Sequence, residues 1–374
     1  MDVLLLTFKS DRGHNLANAL RGYGHTVTVA GVTLGKDPSI LRMYRVFTLV
    51  VKHYGKHDII IVENPFWDAV TALILARIGI HKTPLVFYSK GFTVPIWRET
   101  LPKIIRGIGF IILKQTILKA DYIVYITQWL RDKFIEESGI RGITDKPYSI
   151  IHHAPNPFFL EQLTSDSDKS TDSGSSNKIK ICYAGRFDLR DKTRGILLLL
   201  DALLLETQKC PDISLHLYVA GDGKYLPYLK ETTTKLNLDD KVTFTGKLSQ
   251  SSLRNLYQSS DIFVYPSFQD GCPTVVMEAQ ACGIPAIVTN TCGAVELVEN
   301  GTTGIICGPA AEELASALAE LILDPTKRKT MGLQAREHIK HNLSWEVSAQ
   351  KFNEVLNLIA RQYKQMNKTQ RKNS

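Results

Sequence analysis

The sequence predicts an α/β protein built from two parallel-sheet domains, and three observations carry that reading. The chain has 374 residues, too long for one domain of average size and comfortable for two. Short aliphatic runs of strand length alternate with helical stretches along the whole chain, the order that stacks helices on parallel sheets. Between the halves, residues 164–177 (TSDSDKSTDSGSSN) hold no large apolar side chain. They cannot join a core and read as a flexible linker or long loop. The expected domains are therefore 1–163 and 178–345, with 346–374 following.

In the first half, strands are expected at residues 2–8, 26–30, 58–62, 84–88 and 122–126, a first helix over 14–22, and a long helical zone from Trp97 to Lys119. Residues 3–6 fit a first β-strand better than a signal peptide, because no basic stretch precedes them and no small-residue cleavage site follows. The second half is more regular. Strands are expected at 179–184, 214–220, 242–245, 262–265, 286–289 and 304–307, with helices at 195–208, 225–236, 251–259, 274–282 and 311–323. Each half reads as half of a dinucleotide-binding fold, and ligands of such folds gather at the carboxyl ends of the strands, here in a cleft between the domains.

Composition narrows the function classes. At 44% hydrophobic and 22% charged the chain reads as an ordinary soluble globular protein. The most apolar later stretch, 104–126, is broken by Arg106, Lys114, Lys119 and Asp121, so a membrane span is not expected. Six cysteines (182, 210, 272, 282, 292 and 307) form no CxxC pair, and reduced thiols in a cytoplasmic protein are expected. The net charge of +8 is uneven: residues 1–163 hold 20 Lys and Arg against 13 Asp and Glu, residues 164–360 hold 20 against 24, and the last fourteen hold five bases and no acid. A basic first domain and tail suit an anionic membrane face or an acidic acceptor. No binding motif with interleaved aromatics supports a nucleic acid. Asp166-Ser167-Asp168 spells DxD but lies in low-complexity sequence and is discounted as a metal motif.

The richest chemistry lies in 265–285, YPSFQDGCPTVVMEAQACGIP. A strand ends near Tyr265, a loop carries Asp270-Gly271-Cys272-Pro273, and a helix starts near Thr274. Pro273 suits the first helical turn, and Gly271 lets backbone approach a ligand closely. The free amides and dipole of that helix start suit an anion such as a diphosphate. Glu278 lies one turn on, on the face of Thr274. Two carboxylates could hold two polyols, one on either side of a diphosphate; a helix acid beside a solvated loop Asp is the plainer alternative.

This stretch resembles the signature of family 4 glycosyltransferases of the GT-B fold, two acids separated by seven residues. Asp270-Gly271-Cys272-Pro273 followed by Glu278-Ala279 matches the family pattern, with Asp in place of the first Glu, and Gly283 and Pro285 are also in place. Gly185-Arg186, Val219-Ala220-Gly221-Asp222-Gly223, Val242-x-Phe244-x-Gly246, Asp261 and Gly301-x-x-Gly304 follow the family order. The resemblance implies a GT-B fold, two Rossmann-like domains facing a central cleft, with a C-terminal helix after Ser344 crossing back to the first domain. It implies that Glu278 holds the nucleotide ribose, Asp270 contacts the donor sugar, and the backbone of Gly271, Cys272, Pro273, Thr274 and Val275 lines sugar and phosphates. Arg186 would bind the diphosphate together with a further cation. Arg194 is its formal equivalent, beside Gly195, while Lys192 lies close by in a loop that reads as lengthened. Gly246 and Lys247 would sit near the base.

In the first domain, Ser10-Asp11-Arg12-Gly13 stands where the family keeps a glycine-rich turn facing the phosphates, and only Gly13 survives of the glycines. Lys90, in Ser89-Lys90-Gly91, stands where family members carry a His beside the reacting carbon. A lysine there could contact phosphate or a hydroxyl but is a poor general base unless its pKa falls. His25 reads as a structural turn residue, and His152-His153, with no third ligand nearby, does not read as a metal site. The helical zone at Trp97–Lys119 reads either as a core helix with a wet basic face or as a surface resting on anionic lipid.

The expected function is transfer of a hexose-type sugar from a nucleoside-diphosphate sugar to a glycan or lipid-linked acceptor, with no metal or other cofactor. Retention of configuration comes from the resemblance alone. A GT-B sugar-nucleotide epimerase and a catalytically degenerate transferase acting as a partner protein stay open as alternatives.

Overall fold

The computed structural model of the protein describes every residue except 8–10, 31–38, 54, 64–66, 78–82, 91–102, 162–177 and 373–374. The chain divides into two compact units, Met1–His153 with Trp345–Ser374, and Ala154–Ser344. The linker reading at 164–177 and the DxD tripeptide fall outside the described residues. All six cysteines are free. Among the described residues no helix is long and apolar enough to cross a membrane.

The first unit is a parallel sheet of β1 (Asp2–Leu6), β2 (Thr26–Ala30), β3 (Ile59–Val62), β4 (Leu85–Ser89), β5 (Tyr122–Tyr125) and β6 (Tyr148–Ile150) in the order β2-β1-β3-β4-β5-β6. Every residue of β3, β4 and β5 is buried, which is why these strands read as unbroken apolar runs: helices cover both faces of the sheet. Leu4, Leu6, Ile60, Val62, Phe87 and Ile123 pack there with Leu113 and Ile117 of the helix Lys103–Lys119. That helix is the described part of the zone expected at Trp97–Lys119; residues 97–102 lie outside it.

The last helix, Trp345–Lys372, belongs to this unit, the assignment that the family resemblance implies. It packs on the helix Asp11–Gly22 and is tied down by polar contacts along its length. Ser348 Oγ donates to the His152 carbonyl at 2.8 Å. The His25 ring meets Asn353 at 2.9 Å, and the Tyr363 hydroxyl donates to Asp121 at 2.8 Å. His153, fully buried, lies 3.2 Å from the Tyr88 hydroxyl, and Phe352 meets the Tyr88 ring edge-on at 4.9 Å. His25 and His153 thus help seat the returning helix.

The second unit carries β7 (Lys178–Ala184), β8 (Ser214–Ala220), β9 (Val242–Gly246), β10 (Ile262–Tyr265), β11 (Ala286–Thr289) and β12 (Gly304–Cys307), all parallel, in the order β12-β11-β10-β7-β8-β9. In each sheet the strand order reverses at one point, between β1 and β3 in the first and between β7 and β10 in the second. The crevice outside the carboxyl ends of such strands is where open α/β sheets bind ligands.

One expected boundary is wrong in a way that matters. The helix placed at 195–208 runs Arg190–Lys209, so Lys192 stands in its first turn and not in a lengthened loop. Gly195 reads as a helix start in sequence, but its lack of a side chain serves packing inside the helix. The true start has Leu189 in extended geometry, accepts from Thr193 Oγ1 at 3.1 Å, and places Asp191 at the positive end of the helix dipole.

Candidate functional site

At the carboxyl ends of β7, β8 and β9 a cavity of about 420 Å³ opens, lined among others by Arg186, Asp188, Gly221, Gly223, Lys247 and Val275. Its floor exists because backbone replaces side chain. Gly221 and Gly223 hold φ of +140° and +154°, conformations that glycine tolerates and other residues avoid. A Cβ on Gly223 would stand 2.8 Å from the Phe187 Cα, and one on Gly221 would stand 3.0 Å from the Gly185 carbonyl carbon. The turns after β7 and β8 can touch only as bare backbone. Arg186 is exposed toward this space, so the cavity presents two cations, Arg186 and Lys247, beside open main chain.

The helix Thr274–Ala281 borders the same cavity through Val275. Pro273 is its N-cap and supplies no side-chain cap, which leaves the positive end of the helix dipole suited to an anion. Glu278 is half-buried, three residues after Val275 and therefore on an adjoining part of the same face. Its charge reaches the core: the buried Tyr257 hydroxyl is pushed well above its ordinary pKa by burial first and by Glu278 second.

Asp270 is held from several sides. The Tyr265 hydroxyl donates to its Oδ2 at 2.7 Å, and Lys192 Nζ reaches the same oxygen at 3.0 Å. The Cys272 N–H donates to Oδ1 at 3.3 Å. The loop itself is anchored, because the Gly293 N–H donates to the Asp270 carbonyl at 2.8 Å. Tyr265 ends β10 and is buried within a stack of rings: Tyr183 lies parallel to it at 5.6 Å, and Phe263 at 6.3 Å. Burial, then the Asp270 charge, pushes its hydroxyl pKa well up, so it stays a donor.

The two cations left open by the sequence part company. Lys192 turns to Asp270. Arg194 is exposed, stacks on the Phe268 ring at 4.1 Å and sits 3.5 Å from Asp191. Gly246 has φ +72° and precedes Lys247 at the cavity wall. In the first unit, Lys90 is ion-paired with Glu63, and Thr7 Oγ1 donates to the same carboxylate. Lys90 also lies over the Tyr88 ring at 5.0 Å. These groups stand at the carboxyl ends of β1, β3 and β4, and a Cβ on Gly13 would press on the Thr7 side chain. Residues 11–13, expected in a turn before a helix over 14–22, instead open the helix Asp11–Gly22, so Gly13 is helical; Ser10 lies outside the described residues. No group of three or more His, Cys, Asp or Glu among the described residues is placed to hold a metal ion.

Sequence reasoning missed Tyr265, Glu63 and Thr7. The available signal was positional: each is a polar group directly at the carboxyl end of an otherwise aliphatic strand, where a solvated residue has no reason to be buried.

Comparison with known proteins agrees with this geometry. Residues 166–338 match the family described as Glycosyl transferases group 1. A protein named as an uncharacterized glycosyltransferase of Methanocaldococcus jannaschii is 26% identical over 302 residues, 80% of this chain and 74% of that protein. A GDP-mannose-dependent monoacylated alpha-(1-6)-phosphatidylinositol monomannoside mannosyltransferase of Corynebacterium glutamicum is 31% identical over 148 residues. That alignment spans only 38% of each of the two chains. Among solved structures, HepE of Anabaena in complex with UDP-glucose aligns with a TM-score of 0.72 at 20% identity, covering 96% of this chain and 99% of that one. Residues 166–338 thus match the glycosyl transferases group 1 family model, and the two α/β units share the fold of GT-B glycosyltransferase structures such as that of HepE.

Proposed function

We propose that the protein transfers a hexose-type sugar from a nucleoside-diphosphate sugar to a glycan or lipid-linked acceptor, with retention of configuration and without a metal ion. The observation that carries this reading is the cavity at the carboxyl ends of β7–β9. It joins two cations, two glycine turns and the start of the helix Thr274–Ala281 in one space. In that space a diphosphate meets Arg186 and the helix amides; Lys192 and Asp270, paired at 3.0 Å outside the residues that line the cavity, mark the sugar end. The base lies along Gly246 and Lys247, and Glu278 accepts from the ribose hydroxyls. As the bond from the anomeric carbon to the diphosphate oxygen breaks, its electron pair stays on the diphosphate, and fixed cations stabilise the charge that develops. Lys90, ion-paired with Glu63, acts as a donor to a phosphate or hydroxyl and not as a base.

A lipid-linked acceptor, reached by peripheral contact with an anionic membrane, is supported by the helix Lys103–Lys119. It exposes Ile108 (51%) and Ile111 (62%) beside Lys103, Lys114 and Lys119 and carries no acid. Apolar anchors flanked by lysines suit an interface of that kind.

The test is a thermal-shift screen of UDP-, GDP- and ADP-sugars. A donor at ten times its Kd stabilises by about 1.4 kcal/mol, which is roughly 3–6 °C for a domain of this size. The donor found should then bind Glu278→Gln more weakly than Lys90→Ala in calorimetry. A screen in which no sugar nucleotide stabilises the protein, or equal binding by wild type and Glu278→Gln, would overturn the assignment.

A further inference from the structure

Asp270 offers less to a ligand than a free carboxylate does. An ionised carboxylate has about four acceptor positions. Tyr265 and Lys192 occupy both on Oδ2, and the Cys272 N–H occupies one on Oδ1. One acceptor position on Oδ1 is left. Swinging to offer more would break the Tyr265 and Lys192 contacts, because the Tyr265 ring is held in its stack and the loop main chain is pinned by Gly293.

We propose that Tyr265 and Lys192 are positioning residues that clamp Asp270 so that it reads a single hydroxyl of the donor sugar. The inference rests on the assignment of Asp270 to the sugar end of the site. An aspartate is one methylene shorter than a glutamate and, unclamped, would sample several directions. Here the tyrosine hydroxyl and the ammonium hold Oδ2 and so aim Oδ1. Lys192 keeps two N–H donors after binding Asp270, so the clamp does not remove it from the diphosphate. Tyr265, buried among rings and held as a donor by its raised pKa, has no such second use. Its contribution is direction.

The experiment uses the full chain and the nucleotide that the wild type binds, in calorimetry or competition. The ligands are the bare nucleoside diphosphate, its hexose, and the four analogues lacking the sugar hydroxyl at position 2, 3, 4 or 6. The proteins are wild type, Asp270→Ala, Tyr265→Phe and Tyr183→Phe. Tyr265→Phe keeps the ring stack and removes only the donor. Tyr183→Phe removes a hydroxyl from the same stack that makes no hydrogen bond to Asp270. For each protein, the loss of affinity caused by each missing hydroxyl is read.

Asp270→Ala should abolish the loss at one hydroxyl position, and Tyr265→Phe should shrink the loss at that same position at least fivefold. Bare diphosphate affinity should stay within about twofold in Tyr265→Phe, and Tyr183→Phe should behave as wild type. Losses abolished at two positions by Asp270→Ala would overturn the single-hydroxyl reading. An unchanged pattern in Tyr265→Phe, or the same change in Tyr183→Phe, would overturn the clamp. A wild type that binds no sugar nucleotide is a different failure, because it removes the donor-site assignment itself.

Discussion

Replacing Gly195 by alanine should damage both stability and donor binding through one methyl group. Gly195 lies in the second turn of the helix Arg190–Lys209. A Cβ there would stand 2.9 Å from the Pro266 carbonyl carbon and closer still to its oxygen. Ordinary carbon contacts lie at about 3.5–4.0 Å, so the carbonyl carbon alone requires roughly 0.6–1.1 Å of separation, and the closer oxygen requires more. Neither side yields easily, because Pro266 directly follows the buried strand β10. Overpacking of this kind costs about 1–3 kcal/mol, and alanine in a helix returns roughly 0.5–1 kcal/mol. A net loss of about 1–2 kcal/mol lowers the melting temperature by roughly 2–8 °C. The same displacement carries Lys192, three residues before Gly195, away from Asp270, four residues after Pro266, and their 3.0 Å contact opens. Misplacement by about 1 Å costs up to roughly a hundredfold in rate. Circular dichroism melts read the first effect, and donor calorimetry together with transfer rates reads the second. Gly107→Ala is the control, since a Cβ at that helical glycine meets nothing within 4 Å and should stabilise. A Gly195→Ala variant with wild-type melting temperature and donor affinity would refute the reasoning.

Two further predictions concern titration. His53 Nδ1 and His57 Nε2 lie 3.0 Å apart, and burial, as the largest cause, lowers both pKa values; each imidazole also feels nearby lysines, while Asp2 and Asp58 pull His57 back up. Between those lowered values and about 6.5 the unfolded chain binds more protons, so stability rises with pH there and is lost as pH falls through the window. Melting temperature should drop from pH 7 to 5.5, and His53→Gln should flatten the drop; an equally steep profile in the variant would contradict it. Burial also raises the thiols of Cys182, Cys282 and Cys292 to about 12 and that of Cys307 to about 11. Because the thiolate is the reactive form, these four should resist Ellman's reagent at pH 8 in the native protein and react in denaturant, and rapid native labelling of Cys292 would refute their burial.

Much of the second unit was legible because its central strands are buried on both faces, so that sequences such as Ile262–Tyr265 and residues 286–288 are unbroken apolar runs. The Asp270–Glu278 helix start was legible for a different reason: proline, glycine and acids carry their geometric meaning in the local sequence. What stayed hidden were helix starts without a punctuating residue, as at Arg190, and helices such as Gln128–Ser138, whose cap, Thr127, is unremarkable until its side chain is seen accepting from the Leu130 N–H. The through-space partners were hidden as well. Nothing local links Lys192 to Asp270 or Glu63 to Lys90, because each pair is brought together by a strand crossover.

The two acids of the site are therefore unequal in kind, not only in length. Glu278 projects from a regular helix, whose geometry sets the direction of its Cα–Cβ bond. Asp270 sits on a loop, where an acid of either length would wander, and the fold spends three side-chain and backbone contacts to stop it. A second tie holds the loop's main chain: a Cβ on Gly293 would stand 2.7 Å from the Gly271 carbonyl carbon, so that turn can approach only as glycine. Preorganisation of this sort lowers the ordering cost at the moment of binding and leaves little freedom to adapt. Under the proposed assignment, a donor must bring its hydroxyl to a fixed oxygen, because Asp270 cannot follow it. Changing the donor sugar by engineering then requires loosening Tyr265 before lengthening Asp270, since Asp270→Glu alone would push an extra methylene into contacts that are already filled.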